Sequence, residues 1–250
     1  VTVQIDSLWP TPGSDLDDDT LTAGFLRHDR CEPWVRVNFV SSIDGAATHD
    51  GLSGGLSGEA DKRVFDALRR PADVVLVGAG TVRTENYGPM RLDEPAVRWR
   101  VANGLPPHPV FAIVSARLDL DPSSRIFADA PVRPIIVTIG GSPLDRRNAL
   151  AEVADVIVCG DDSLGSHAML AALTARGLPQ VHCEGGPTLF GALLADDAVD
   201  ELCLTASPQL QAGSARRIAS GPQLESRGMT LASVLRSDET LMLRYIRELR

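Results

Sequence analysis

At 250 residues and 26.6 kDa, with 44% hydrophobic residues and a mean hydropathy of zero, the chain is long enough to bury a sizeable core and reads as a globular domain. Its 33 acidic against 24 basic residues give a net charge of −9, which argues against nucleic acid or an anionic membrane as partner while leaving local pockets free to take small anions. No apolar run approaches the roughly 20 residues that span a bilayer, no signal-peptide pattern opens the chain, and a cytoplasmic setting is expected.

Residues 1–32 read as a lead-in with one short helix: Pro10, Pro12, Gly13 and the acidic run to Asp19 predict an extended segment ending at a helix N-cap near Asp19 or Thr20. From Trp34 onward β-branched runs (35–43, 73–78, 110–115, 135–139, 155–160, 180–184) alternate with helix-length stretches (59–70, 146–152, 166–176, 188–195). That alternation predicts a single α/β domain over 33–250, with a mainly parallel central sheet flanked by helices. Runs 74–77, 135–137 and 156–158 are apolar at every position and are expected in the middle of the sheet. Runs 202–207, 230–236 and 240–247, the last two joined by the polar turn 237–239, predict a closing antiparallel hairpin, with Leu241, Leu243 and Tyr245 toward the core. The proline-rich segment 87–109 reads as a long surface loop. Cys31, Cys159, Cys183 and Cys203 form no C-x-x-C pair and read as reduced thiols. His182 and Glu184 spell half of a zinc-deaminase motif whose other half is absent, so no metal is expected.

Ligands of parallel sheets bind beyond the carboxyl ends of the strands. One such end runs from Val181 through Glu184-Gly185-Gly186-Pro187-Thr188 into a helix. Glycines there admit backbone N–H groups close to a phosphate, and a helix start adds positive potential; the same residues also suit a tight turn. A second end, Gly78-Ala79-Gly80-Thr81-Val82-Arg83, has arginine in place of the third glycine of a dinucleotide fingerprint and a proline-rich loop after it, which speaks against a simple Rossmann site. The first strand ends at Ser42, Asp44 and Gly45 and holds Asn38, which either pins a neighbouring backbone or meets a ligand. Glu85 and Glu184 sit at the same sheet edge, where carboxylates transfer protons or grip hydroxyls.

Taken in order, Pro33-Trp34-Val35, Ser42-Ile43-Asp44-Gly45, the run from Asp73 to Arg83 and Glu184-Gly185-Gly186-Pro187 resemble the pyrimidine reductases of riboflavin biosynthesis, a dihydrofolate-reductase-like domain found alone or fused to a deaminase. The resemblance implies an NADPH-dependent hydride transfer to the ribose C1′ of 5-amino-6-(5-phosphoribosylamino)uracil, giving the ribitylamino product. It implies that Gly78, Thr81, Val82, Gly185, Gly186, Pro187 and Thr188 line the dinucleotide, with Ser115 and Arg117 as candidates for its 2′-phosphate. Asn38, Ser42, Asp44, Glu85 and Glu184 would then face the substrate, Asp44, Glu85 and Glu184 as the catalytic carboxylates, with Arg91 near the substrate phosphate. It further implies a homodimer.

Two departures fall on the substrate side. Many members of the family have lysine where this chain has Asn38, and aspartate where it has Glu85. These changes keep open two other readings, an NADPH-dependent reductase of a pterin such as dihydrofolate and a catalytically silent NADPH-binding protein.

Overall fold

The computed structural model describes residues 3–27 and 29–247. One ten-stranded sheet organises them. Seven strands are parallel neighbours: β8 (Glu201–Ser207), β2 (Trp34–Ser42), β7 (Gln180–Cys183), β3 (Val74–Gly78), β4 (Val110–Val114), β5 (Ile135–Thr138) and β6 (Asp155–Val158), in that spatial order. On the far side of β8 lie β10 (Thr240–Ile246), β9 (Thr230–Ser237) and β1 (Asp6–Trp9), all antiparallel. The α/β, mainly parallel expectation with a C-terminal antiparallel hairpin therefore holds.

Several local expectations are corrected. Residues 1–32 do contain a helix, α1 (Asp18–Phe25), but its N-cap is Asp17, whose carboxylate accepts from the Thr20 amide, one of several acidic residues in the run able to cap. The segment before it is not merely extended, because β1 pairs with β9 and forms one sheet edge. The run 156–158 is no central strand: β6 is the other edge, with Val158 46% exposed. The true centre is β2 beside β7, and β2 escapes an apolar-run criterion because it carries Arg36 and Asn38. Within 87–109 lies a helix, α4 (Glu94–Ala102), capped by Asp93. A short helix, α3 (Ala79–Thr84), follows β3 directly, where a loop was expected. On β10 it is Met242 that faces the core; Leu241, Leu243 and Tyr245 point to the opposite, partly exposed face, since successive side chains alternate.

Helix α2 (Glu59–Arg69) explains where the site forms. Ala60, Val64, Ala67 and Leu68 bury against α1 and against Cys203, Leu235 and Met242 of the sheet. With that stripe fixed to the core, the stripe Asp61, Phe65 and Arg69, at i, i+4 and i+8, is turned toward the strand ends. The remaining helices are α5 (Arg125–Ala128), α6 (Leu144–Ala151), α7 (Ser166–Thr174) and α8 (Pro187–Ala195).

Close packing of α8 gives a first expectation. A Cβ on Gly191 would stand 2.0 Å from the Ser220 carbonyl oxygen, a backbone atom that cannot rotate away. Gly191→Ala is expected to cost about 1–3 kcal/mol and lower the melting temperature. Gly80→Ala, which meets nothing within 4 Å, should leave it nearly unchanged in the same thermal scan.

Candidate active site

A cleft of about 470 Å³ opens where β2, β3 and β7 end, roofed by the polar stripe of α2. Of the residues singled out in the sequence, Asn38, Thr81, Glu85, Glu184, Gly186 and Pro187 line it. Three strands adjacent in the sheet as β2, β7 and β3, with the short α3 after β3, thus bring them together.

Glu184 is buried and fully engaged. Arg69 donates to it twice, Nε to Oε1 at 2.6 Å and Nη2 to Oε2 at 2.8 Å, and the Tyr87 hydroxyl donates to Oε2 at 2.8 Å. Burial alone would push its carboxyl up, but the Arg69 charge and these hydrogen bonds hold it below its ordinary value. Tyr87 is pushed up, by burial first and then by the Glu184 charge, and so keeps its proton as a donor. Arg69 also lies over the Phe65 ring, and Tyr87 stacks on Phe111. Beside this group, His182 has neither ring nitrogen hydrogen-bonded among the described residues; burial pushes it down to about 4, so it is neutral at physiological pH.

Glu85 differs. Its Oε1 accepts from the Ser53 amide at 2.8 Å, and no partner among the described residues occupies its other oxygen. Asn38 is buried, yet its side-chain amide makes no hydrogen bond among the described residues and borders the cleft. Lys62, the chain's one lysine, also lines the cleft and forms no ion pair among the described residues.

The other residues named from the sequence lie outside the cleft lining. Ser42 donates to Asp44 and accepts from the Ala46 amide at 2.9 Å. Asp44 in turn accepts from the amides of Gln211 and Ala212, binding that loop to the end of β2; the Ser42 hydroxyl first, then those amides, lower its pKa. Arg91 is exposed and donates to the Asp129 carbonyl at 3.0 Å. Ser115 is buried at the end of β4, accepting from the Leu118 amide at 2.9 Å, whereas Arg117 beyond it is exposed. The Val82 side chain is in the core with Phe111 and Met90.

Gly78, Gly185 and Gly186 hold the β3 and β7 exits against each other: the Gly78 amide donates to the Gly185 carbonyl at 2.7 Å, Gly185 adopts φ +87°, and the Gly185–Gly186 peptide is cis. A Cβ on Gly186 would stand 2.3 Å from Thr81 Oγ1. No side chain caps the N-terminus of α3 or of α8, and exposed Thr188 sits in the first turn of α8. The first N–H groups of α8 are therefore left without a side-chain cap.

Sequence reading missed the α2 contribution, Asp61, Lys62, Phe65 and Arg69, and also Tyr87. The recurrence of Asp61, Phe65 and Arg69 at i, i+4 and i+8, opposite the stripe of Ala60, Val64, Ala67 and Leu68, was the available signal. Among the described residues no helix is long and apolar enough to cross a membrane, and no group of three or more His, Cys, Asp or Glu is placed to hold a metal. All four cysteines are free thiols, and Cys159, Cys183 and Cys203 are buried.

A parallel α/β sheet whose strand ends and glycine-bearing helix starts surround a polar cleft defines an enzyme acting on small molecules. The chain belongs to the RibD C-terminal domain family, whose model matches residues 33–243. It is 27% identical over 212 residues, 84% of this chain and 94% of the relative, to the 2,5-diamino-6-ribosylamino-4(3H)-pyrimidinone 5′-phosphate reductase of Methanothermobacter thermautotrophicus. The reductase of the same name from Archaeoglobus fulgidus is 28% identical over 177 residues, 70% of this chain and 80% of the relative. A pyrimidine reductase-like protein from Corynebacterium diphtheriae superposes with a TM-score of 0.80 at 28% identity, covering 87% of this chain and 93% of that one. The protein is accordingly an oxidoreductase of the riboflavin-biosynthesis reductase type, a class that uses a nicotinamide cofactor.

Proposed function

We propose that the protein reduces a phosphoribosylaminopyrimidine with NADPH, either the uracil form expected from the sequence or the 2-amino form named for its archaeal relatives. The observation that carries this reading is one cleft joining uncapped helix starts to a half-free carboxylate, Glu85, and an unpartnered buried amide, Asn38.

The residues present fit a dinucleotide. The uncapped N–H groups of α8 and the Thr81 hydroxyl hold its pyrophosphate, with Gly78, Val82, Gly185, Gly186 and Pro187 contributing close backbone, while Ser115 and exposed Arg117 serve the 2′-phosphate. When bound, the cofactor supplies a hydride to the ribose C1′. As it arrives the C1′–O4′ bond breaks, its electron pair leaves on O4′, and that oxygen takes a proton. Glu85 delivers the proton, since its free oxygen faces the cleft and Glu184 is held ionised by Arg69. Glu184 instead positions Tyr87 and Arg69. Lys62, on a different element from the family's lysine, supplies the unpaired positive charge for the substrate phosphate, and Asn38 takes a substrate hydroxyl.

Within this reading the enzyme works in the cytoplasm as a homodimer. Leu204, Leu231, Leu241, Leu243 and Tyr245 form a partly exposed apolar face on β8–β10 that suits a second copy, and sedimentation should return twice the 26.6 kDa chain mass. The decisive assay is loss of NADPH absorbance with each phosphoribosylaminopyrimidine and with dihydrofolate. Turnover of a phosphoribosylaminopyrimidine is expected; cofactor binding with no such turnover overturns the proposal.

A further inference from the structure

Asp61 is a feature the reduction step leaves unused. It sits in the first turn of α2, is 7% exposed and borders the cleft. Ser57 donates to its Oδ2 at 2.5 Å, and no cation lies within ion-pair distance among the described residues, Lys62 beside it included. Its second oxygen has no protein partner among the described residues, while Phe39 and Phe65 supply apolar wall nearby. A carboxylate this buried, without a cation, costs free energy unless donors reach it from the cleft. The cleft therefore offers a bidentate acceptor set against an apolar surface, the complement of a flat heterocycle that presents two adjacent N–H donors.

Resting on the reading above, we propose that Asp61 selects a 2-amino-4-oxopyrimidine over its 2-oxo counterpart. In the 2-amino compound the exocyclic NH₂ and the ring N3–H are parallel donors one carboxylate can accept together. In the 2-oxo compound an oxygen replaces the NH₂, so the same carboxylate meets one donor and one repelling acceptor. A site that leaves a buried polar group unpaired against the wrong ligand discriminates strongly. A first-turn carboxylate also favours the helix N-terminus, but that contribution is blind to the substituent at C2.

The test compares kcat/KM for the 2-amino and 2-oxo phosphoribosylaminopyrimidines. Wild type should prefer the 2-amino compound by about 100-fold or more. Asp61→Asn, whose amide can donate to an oxygen at C2, should shrink or invert that ratio with NADPH affinity unchanged. Asp61→Ala should lose the preference without inverting it. Equal kcat/KM for both compounds in wild type, or an unaltered ratio in both variants, overturns the role of Asp61 and leaves the reductase reading intact. Reduction of neither compound by wild type overturns both.

Discussion

Glu85→Gln should lower kcat for substrate-dependent NADPH oxidation by about 10²- to 10⁴-fold, the range expected when a positioned acid is removed, while cofactor affinity stays within a factor of two or so. Of the carboxylates that border the cleft, Glu184 has both oxygens engaged, whereas Glu85, at the C-terminal end of α3, keeps one oxygen free of protein partners among the described residues. Glutamine can still accept from the Ser53 amide, so the loop geometry survives and the loss falls on the proton. Glu184→Gln should behave differently. It removes the charge that holds Arg69 and Tyr87, and a weakened melt together with a raised KM is the expected pattern. A Glu85→Gln enzyme that kept more than a tenth of kcat would remove Glu85 from the proposed proton path.

The largest stability effect is expected at Glu201. This residue is completely buried and accepts at 2.7 Å from each of Trp34 Nε1, Arg36 Nε and Arg244 Nε. Replacing it by glutamine leaves Arg36, itself buried, without its counter-charge, and should cost about 3–5 kcal/mol. Against a typical domain stability of roughly 5–15 kcal/mol, that is enough to lower the urea midpoint sharply.

Acid should act through the same group. Burial would raise the Glu201 carboxyl, but Arg36 and Arg244 bring it down to about 2. A carboxyl with a depressed folded-state pKa binds its proton more readily when unfolded. Its contribution is therefore complete above the unfolded value of 4.5 and is lost as pH falls toward 2. His182 acts earlier and in the same direction. Burial lowers it from 6.5 to about 4, so the unfolded chain takes up a proton first as pH falls through that interval, removing on the order of 3 kcal/mol. His182→Phe should flatten the stability slope between pH 6.5 and 4 and leave the steeper loss below 4.5. An unchanged slope would show that the imidazole is not buried neutral in solution.

The sequence by itself determined the β/α alternation, the parallel sheet, the glycine-bearing exits of β3 and β7 and the family, because hydrophobic period and turn chemistry are local properties. It also marked Asn38, Thr81, Glu85, Glu184, Gly186 and Pro187, on β2, on the helix that follows β3 or at the β7 exit, all of which line the cleft. The order of strands escaped it. An apolar run such as 156–158 looks the same at the middle and at the edge, and only the number of neighbours it acquires distinguishes the two. The tertiary structure alone decided that Glu184 has both oxygens engaged while Glu85 keeps one free among the described residues, since that difference is made by Arg69 and Tyr87, both far from Glu184 in sequence. It decided likewise that α2 turns Asp61, Lys62, Phe65 and Arg69 into the cleft. A helix reveals its apolar stripe in its sequence, but what its polar stripe faces depends on the strands beneath it.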